Sequence, residues 1–484
     1  MSVPIDDPHA VLRRGVYLLL ATIAIGGVLG RLFAVNSVDK VALEQYLKAK
    51  GQAKPLQRPF LSGNDRSRWA TVRSLVEQGT YQIDDIVTQP NWDTIDMVKH
   101  DDEGHAAPKI GEGHLYSSKP PLLATLVAAP YWVIFKLTGA TLATHPYAIG
   151  RGLLVLVNVV PLMIYFLFLA KLAERYGTSD WGRVFMLACG TAGTFLTTFA
   201  VVLNNHLPAA VSAAISLYCV MRIACDGQRG IRYFFIGGLA AAFAAANELP
   251  ALALVGLLSL WLLVKAPRLT LAAWLPGLLI VAAAFFGTNY AAHHTLVPAY
   301  ARQGSNDNWY VYQYVKDGRV RDSYWMHPEK KSPIDQGEPL VADYALHALV
   351  GHHGVFSLTP IWLLSIVGLG ILCVRSGPMR TLGGLLLVTS VVCLAFYITL
   401  PLEQRNYGGT SSGFRWAFWF APLWLLALLP AADEMVRSRV LRVLAAVLLC
   451  ASVVSVSYPT WNPWVQPWLT DIMVDLDWAR LGTR

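Results

Sequence analysis

Residues Arg151–Lys171 read RGLLVLVNVVPLMIYFLFLAK, an uncharged and almost wholly apolar run closed at each end by a cation. A helix needs roughly 20 such residues to cross the hydrocarbon of a bilayer. Lipid offers backbone N–H and C=O groups no partners, so only helices and closed barrels cross it. The run is continuous rather than alternating, and that periodicity predicts a helix. Runs of the same kind recur along the chain. The expected spans are Gly15–Val35, Pro146–Ala170, Val184–Val202, Leu207–Ile223, Ile231–Asn247, Pro250–Val264, Leu269–Tyr290, Val355–Val374, Leu382–Leu400, Phe414–Leu429 and Val440–Val456. Composition agrees: 55% of the 484 residues are hydrophobic and 14% charged, with a mean hydropathy of +0.43. Such a chain is too apolar for water to wet its folded surface. The expected fold class is therefore an all-α polytopic membrane protein, a single domain over 1–484 with about eleven transmembrane helices.

Orientation follows from Lys and Arg in the short connections, which mark the cytoplasmic side. With the N-terminus inside, the inner loops Lys171–Arg183, Arg222–Arg232, Lys265–Arg268, Arg375–Arg380 and Arg437–Arg442 are all basic, whereas the connections at Asn204–His206 and Leu249 carry no Lys or Arg. The apolar segment Pro120–Leu137 would invert every later loop if it crossed, so it is expected as a juxtamembrane helix on the outer leaflet. The first span, after Arg13 and Arg14, reads as a retained anchor, because its apolar stretch is long and no small-residue cleavage site follows. Outside lie a long first loop (36–145), a second loop (291–354), a short loop from Pro401 to Gly413 and a C-terminal tail (457–484). The tail's Trp461, Trp464 and Trp468 suit the lipid headgroup zone. The formal charge of +8 reflects the inside bias rather than nucleic-acid binding. Cys189, Cys219, Cys225, Cys373, Cys393 and Cys450 fall in spans or at their inner ends, so disulfides are not expected.

Two segments of the first outer loop carry candidate chemistry. The first is Ser62-Gly-Asn-Asp-Arg-Ser-Arg-Trp69. Asn64 or Asp65 can cap a helix, Trp69, Val72, Leu75 and Val76 form one apolar face, and Gly79 ends it, which predicts a helix on the membrane surface. Asp65 is then either only a cap or a carboxylate available for chemistry. The second segment is His114-Leu-Tyr-Ser-Ser-Lys-Pro-Pro121. Its prolines fix an extended approach and can start a helix without wasting amide donors. Lys119 is held at the water–lipid boundary, as a snorkelling anchor or as a charge for a ligand.

Together these motifs resemble the membrane glycosyltransferases of the C-type fold, most of all the branch with protein O-mannosyltransferases and the lipid A aminoarabinose transferases. In that branch the first outer loop carries an acidic residue followed by an Arg and an aromatic, here Asp65, Arg68 and Trp69, and later a Tyr three residues before Lys-Pro-Pro, here Tyr116 before Lys119. Arg151 sits early in the second span, where these families often keep an Arg; an intramembrane charge needs a partner, and Asp65 is the candidate. Asn406-Tyr-Gly-Gly409 with Gly413-Phe-Arg-Trp416 is similar to the Gly-rich, Arg-aromatic start of a late span in the same group. Departures are equally plain. Many members place a second acidic residue at the next outer turn, where this chain has Asn204-Asn-His206, and the Glu that helps hold a metal before Lys-Pro-Pro is Ser118. Glu248, followed by Pro250, is the remaining carboxylate near the membrane: it either stands in or caps a helix.

The resemblance implies transfer of a sugar from a polyprenyl-phosphate-linked donor to an acceptor hydroxyl of a protein, glycan or lipid on the outer face of a bacterial inner membrane. In that scheme Asp65 is the catalytic base, Lys119, Tyr116, Arg68 and Arg415 bind the donor phosphate, and Arg151, Asn205, His206 and Glu248 support them. Direct displacement would invert the anomeric centre. No metal ligand and no certain cofactor is assigned; a divalent metal stays open but unsupported, since the position of its glutamate ligand is Ser118, and the pairs His293-His294 and His352-His353 diverge too much to chelate as neighbours. Tyr310, Tyr312 and Tyr314 with a turn at Asp317-Gly318 predict a ribbon, either a lid over a sugar site or a structural flap. Competing classes are a transporter or flippase, for which no related halves are visible, and a non-catalytic glycosyltransferase-like subunit.

Overall fold

The computed structural model describes residues 8–34, 51, 60–459 and 462–476. The protein is an all-α polytopic membrane protein. Among the described residues eight helices are long and apolar enough to cross a membrane, and three shorter apolar helices accompany them. In chain order we label α1 (Pro8–Ala34), α2 (Gly63–Glu77), α3 (Pro121–Thr138), α4 (Pro146–Tyr176), α5 (Asp180–Ala192), α6 (His206–Ala224), α7 (Ile231–Asn247), α8 (Leu249–Lys265), α9 (Pro267–His293), α10 (Trp362–Val374), α11 (Pro378–Ile398), α12 (Arg415–Met435) and α13 (Arg439–Ser457).

Local chemistry accounts for most helix ends. Proline stands in the first turn of α3, α4, α9 and α11, where its missing N–H costs nothing. Ser179 and Ser438 cap α5 and α13 by accepting from the amides of Gly182 and Leu441. Two expected spans are broken. The run Val184–Val202 stops as a helix at Ala192, and a single turn, Leu196–Phe199, follows. Val355–Val374 is split between a turn at Val355–Leu358 and α10, because Pro360 cannot supply the amide a continuous helix needs. The second span contains a π-helical turn at Val155–Val159; Asn158 in it donates to the carbonyls of Ala200 (2.9 Å) and Val202 (2.7 Å), tying α4 to the turn before α6.

The core is organised around α12, buried without a break from Ala421 to Asp433 and packed by α5, α6 and α10. It is the least hydropathic of the eight long helices, as expected where neighbours are protein rather than lipid. α6 lies against α7, and α7 against α9, where Gly238 lets the chain rest on the backbone of Trp274.

The two long loops hold two small hairpins. Strands β1 (Met97–His100) and β2 (His114–Ser117) pair antiparallel, as do β3 (Gln313–Lys316) and β4 (Arg319–Asp322). The second turns at Asp317-Gly318, both with positive φ (53° and 69°), as an Asp-Gly hairpin turn requires. α2 differs from expectation in two ways. Its N-cap is Ser62, whose Oγ accepts from the Asp65 amide (3.1 Å), rather than Asn64 or Asp65. Nor does it lie on a surface with its polar face in water: every residue from Asn64 to Ser74 is buried, because α3, the β1–β2 hairpin and the turn before α6 enclose it. α3 packs on α2 and α9, and its Tyr131 hydroxyl donates to Glu77 (2.6 Å). Trp461 lies outside the described residues, as does much of the first loop before Phe60. All six cysteines are free.

Candidate functional site

One cavity of about 590 Å³ opens where α2, the loop before α3, the start of α6, the α7–α8 connection, α11, the Gly408-Gly409 turn and the C-terminal segment meet. Its polar wall starts at α2. Ser67 donates to the carbonyl of Asp96 (2.6 Å) and shares a hydrogen bond with Ser117 (2.6 Å), so the helix holds both edges of the first-loop hairpin. That clamp places Asp96 opposite Lys119, whose Nζ lies 2.8 Å from Asp96 Oδ1. Arg68, one turn along α2 from Asn64, donates to that residue's side chain and, at 2.7 Å, to Asn205 Oδ1. Asn205 passes the contact on, its Nδ2 donating to Glu248 Oε1 (2.7 Å). Glu248 also pairs with His206 Nδ1 and accepts from the Tyr397 hydroxyl (3.3 Å).

The third cation comes from the far end of the chain. Gly408, at φ 95°, turns its carbonyl onto Arg415 Nε, a conformation that favours glycine. The guanidinium lies over the Trp464 ring (5.1 Å) and reaches within 3.4 Å of His206 Nε2. Arg68, Lys119 and Arg415 thus face one cavity with Asp96, Glu248 and His206. Burial pushes the Arg68 guanidinium down to about 10, with the nearby charge of Arg415 adding to the effect. Burial also lowers Lys119, and Asp96 opposes it. The three cations share this lining with four carboxylates, Asp96, Glu248, Asp335 and Glu403, so the wall carries charges of both signs, with Lys119 paired directly to Asp96.

Of the residues singled out from sequence, Arg68, Lys119, Asn205, His206, Glu248 and Arg415 line this cavity. Three others do not. Asp65 is sealed behind its wall: its two oxygens accept the backbone amides of Leu61 and Leu203, both at 3.0 Å. Burial raises its carboxyl to about 6, against the pull of those amides. It is therefore bonded to backbone rather than to Arg151, whose guanidinium lies over Tyr147 (5.0 Å). Tyr116 stacks on His100 (4.0 Å between centroids) inside an aromatic cluster with Trp309; burial pushes its hydroxyl up to about 12.

Sequence reasoning missed Asp96, which in the string is one of many acids in a polar loop. It also missed Tyr397, hidden within an apolar span, and Tyr300 and Trp325, which join Tyr310 of the expected ribbon in one wall. Trp464, expected at the headgroups, is instead buried in the cavity wall, its indole N–H without a partner among the described residues. His352 and His353 contact each other and stack on His347 and Tyr407. Among the described residues no three His, Cys, Asp or Glu side chains gather as a metal site would need.

No family model and no curated protein matches the chain. Among solved structures it is similar to the Archaeoglobus fulgidus oligosaccharyltransferase crystallised with zinc and sulfate, at 13% identity and a TM-score of 0.45, over 96% of this chain and 57% of that one. The chain thus spans little more than half of that protein's length.

Proposed function

We propose that the protein is a membrane glycosyltransferase that moves a sugar from a polyprenyl-phosphate donor to an acceptor hydroxyl at the outer face, with inversion. The observation that carries this reading is the convergence of Arg68, Lys119 and Arg415 on one cavity whose opposite side is lipid-like. Leu122, Leu123, Leu249, Phe396 and Leu400 form that side, and Leu249 (42%) and Phe396 (48%) are exposed on the bundle surface. An amphiphile with an anionic head and an apolar chain matches both halves. The cations neutralise the charge that grows on the phosphate oxygen as the sugar–oxygen bond breaks. The aromatic wall of Tyr310, Trp325 and Trp464 suits a sugar ring, and Trp464 Nε1 has a hydrogen bond to give. Glycosyl transfer outside the cytoplasm cannot draw on nucleotide sugars, which is why a lipid-linked donor fits the outward orientation. The test is to incubate purified protein with polyprenyl-phosphate-linked hexoses, pentoses and aminopentoses and measure donor loss. Consumption of one donor above the protein-free rate supports the reading, and no consumption of any overturns it.

A further inference from the structure

Resting on that reading, we propose that His206 and Glu248 form the proton-accepting dyad of the transfer, with His206 Nε2 taking the proton from the acceptor hydroxyl.

A general base needs a lone pair at the cavity wall and a second group fixing its orientation. Both dyad residues line the cavity. Asn204 Oδ1 accepts from the amides of His206 (2.9 Å) and Leu207 (3.1 Å), capping the start of α6 and leaving the next two side chains free to turn into the site. The His206 ring is then held edge-on by Phe199 and Phe418, at 6.3 and 6.0 Å between centroids.

Glu248 fixes the tautomer. An ionised carboxylate can only accept, so the imidazole nitrogen bonded to it, Nδ1, carries the proton and Nε2 keeps its lone pair. The carboxylate is held in turn by Asn205 Nδ2 and the Tyr397 hydroxyl, and Tyr397 accepts from Trp419 Nε1 (3.2 Å). On the other side, Nε2 faces Arg415 Nη1 at 3.4 Å. A guanidinium has donors only, so this contact also leaves Nε2 as acceptor. It is long for a hydrogen bond, and an incoming hydroxyl can displace it.

The remaining carboxylates are worse placed. Asp65 is bonded to two backbone amides behind the wall, Asp96 is ion-paired with Lys119, Asp335 already accepts from Tyr324, Ser332 and Asn406, and Glu403 is exposed at the rim, with no imidazole bonded to it among the described residues. In the step itself, the acceptor oxygen bonds to the anomeric carbon as its proton passes to His206 Nε2. The bond from that carbon to the phosphate oxygen breaks, and its electron pair leaves with the phosphate toward Lys119 and Arg415. Glu248 balances the imidazolium formed beside Arg415.

The test compares wild type with His206→Asn, which keeps a donor for Glu248 but has no Nε2, with Glu248→Gln, and with the double variant. Farnesyl phosphate binding, thermal unfolding and donor turnover across neutral pH are read for each. We expect His206→Asn to bind farnesyl phosphate as wild type does, to unfold at a similar temperature, and to turn over about 100- to 10,000-fold more slowly. Glu248→Gln should slow turnover and move the acidic limb of the pH profile to lower pH, because the imidazole loses its anionic partner, and the double variant should be no slower than His206→Asn, as for residues acting as one unit. A folded His206→Asn with wild-type turnover overturns the dyad alone. Wild-type protein that neither binds farnesyl phosphate nor consumes any donor overturns the functional reading, and the dyad with it.

Discussion

Replacing Lys119 or Arg415 with Gln removes a full positive charge from the cavity wall while keeping a polar side chain that still donates hydrogen bonds. If these groups meet the leaving phosphate, each change should slow donor turnover per folded molecule by about 100- to 1,000-fold, and Lys119→Gln should also lower the unfolding temperature because it leaves Asp96 without its ion partner; unchanged turnover in both would leave them as interfacial anchors. Asp65 is expected to behave differently. Its carboxylate satisfies two buried amides, and Asn can satisfy only one. Asp65→Asn should therefore cost about 1–3 kcal/mol of stability and Asp65→Ala more, while turnover per folded molecule stays near wild type in the Asn variant; a folded Asn variant without turnover would make Asp65 the base. The group also sets a pH slope. Burial raises it from 3.8 to about 6 in the folded protein, so between those values the folded state binds more protons than the unfolded one. Its contribution to stability is greatest below pH 3.8 and falls as pH rises towards about 6. Unfolding temperatures over that interval should lose part of their downward slope in Asp65→Asn. In the sequence the catalytic and the bonding role of this aspartate were indistinguishable, because the deciding partner, the Leu203 amide, lies 138 residues away.

At the scale of elements, α3 is the decisive helix. By length and composition it qualifies as a span, yet a crossing there would place the basic connections from Lys171 onward outside. It also packs on α2, a helix too rich in buried Arg to lie in lipid. We therefore expect both its ends on the outer side. Single cysteines near Gly139 and near Lys171 would be probed with an impermeant thiol reagent: the Lys171 position should react only when the cytoplasmic face is opened, and reaction of the Gly139 position from that face would sink the assignment. Most helix ends were legible because proline, serine caps and basic termini act within one turn. Of the two broken spans, the one at Pro360 carried its own signal, whereas for Val184–Val202 apolar content alone does not separate a short helix plus a turn from one continuous helix.

For the whole molecule, the cavity depends on segments from nearly the full length of the chain, including the last described stretch. Asn462 and Trp464 close its wall, and Trp464 supports the Arg415 guanidinium. Trp464→Ala should weaken farnesyl phosphate binding and slow turnover without unfolding the bundle, whose core is built around α12. Farnesyl phosphate binding equal to wild type would show that the tryptophan is only a lid contact.

Hydropathy, read residue by residue, was enough to determine the all-α membrane class and most of the helices that make it. Lipid imposes these locally, since each segment must satisfy its own backbone. The Asp317-Gly318 turn was legible for the same reason. Only the tertiary structure decided which polar groups share a cavity. Asp96 reaches Lys119 through a clamp on Ser67 and Ser117, and His206 meets Glu248 across two helix ends and Arg415 across 209 residues. Such contacts come from how helices pack, and no local pattern of residue types encodes them.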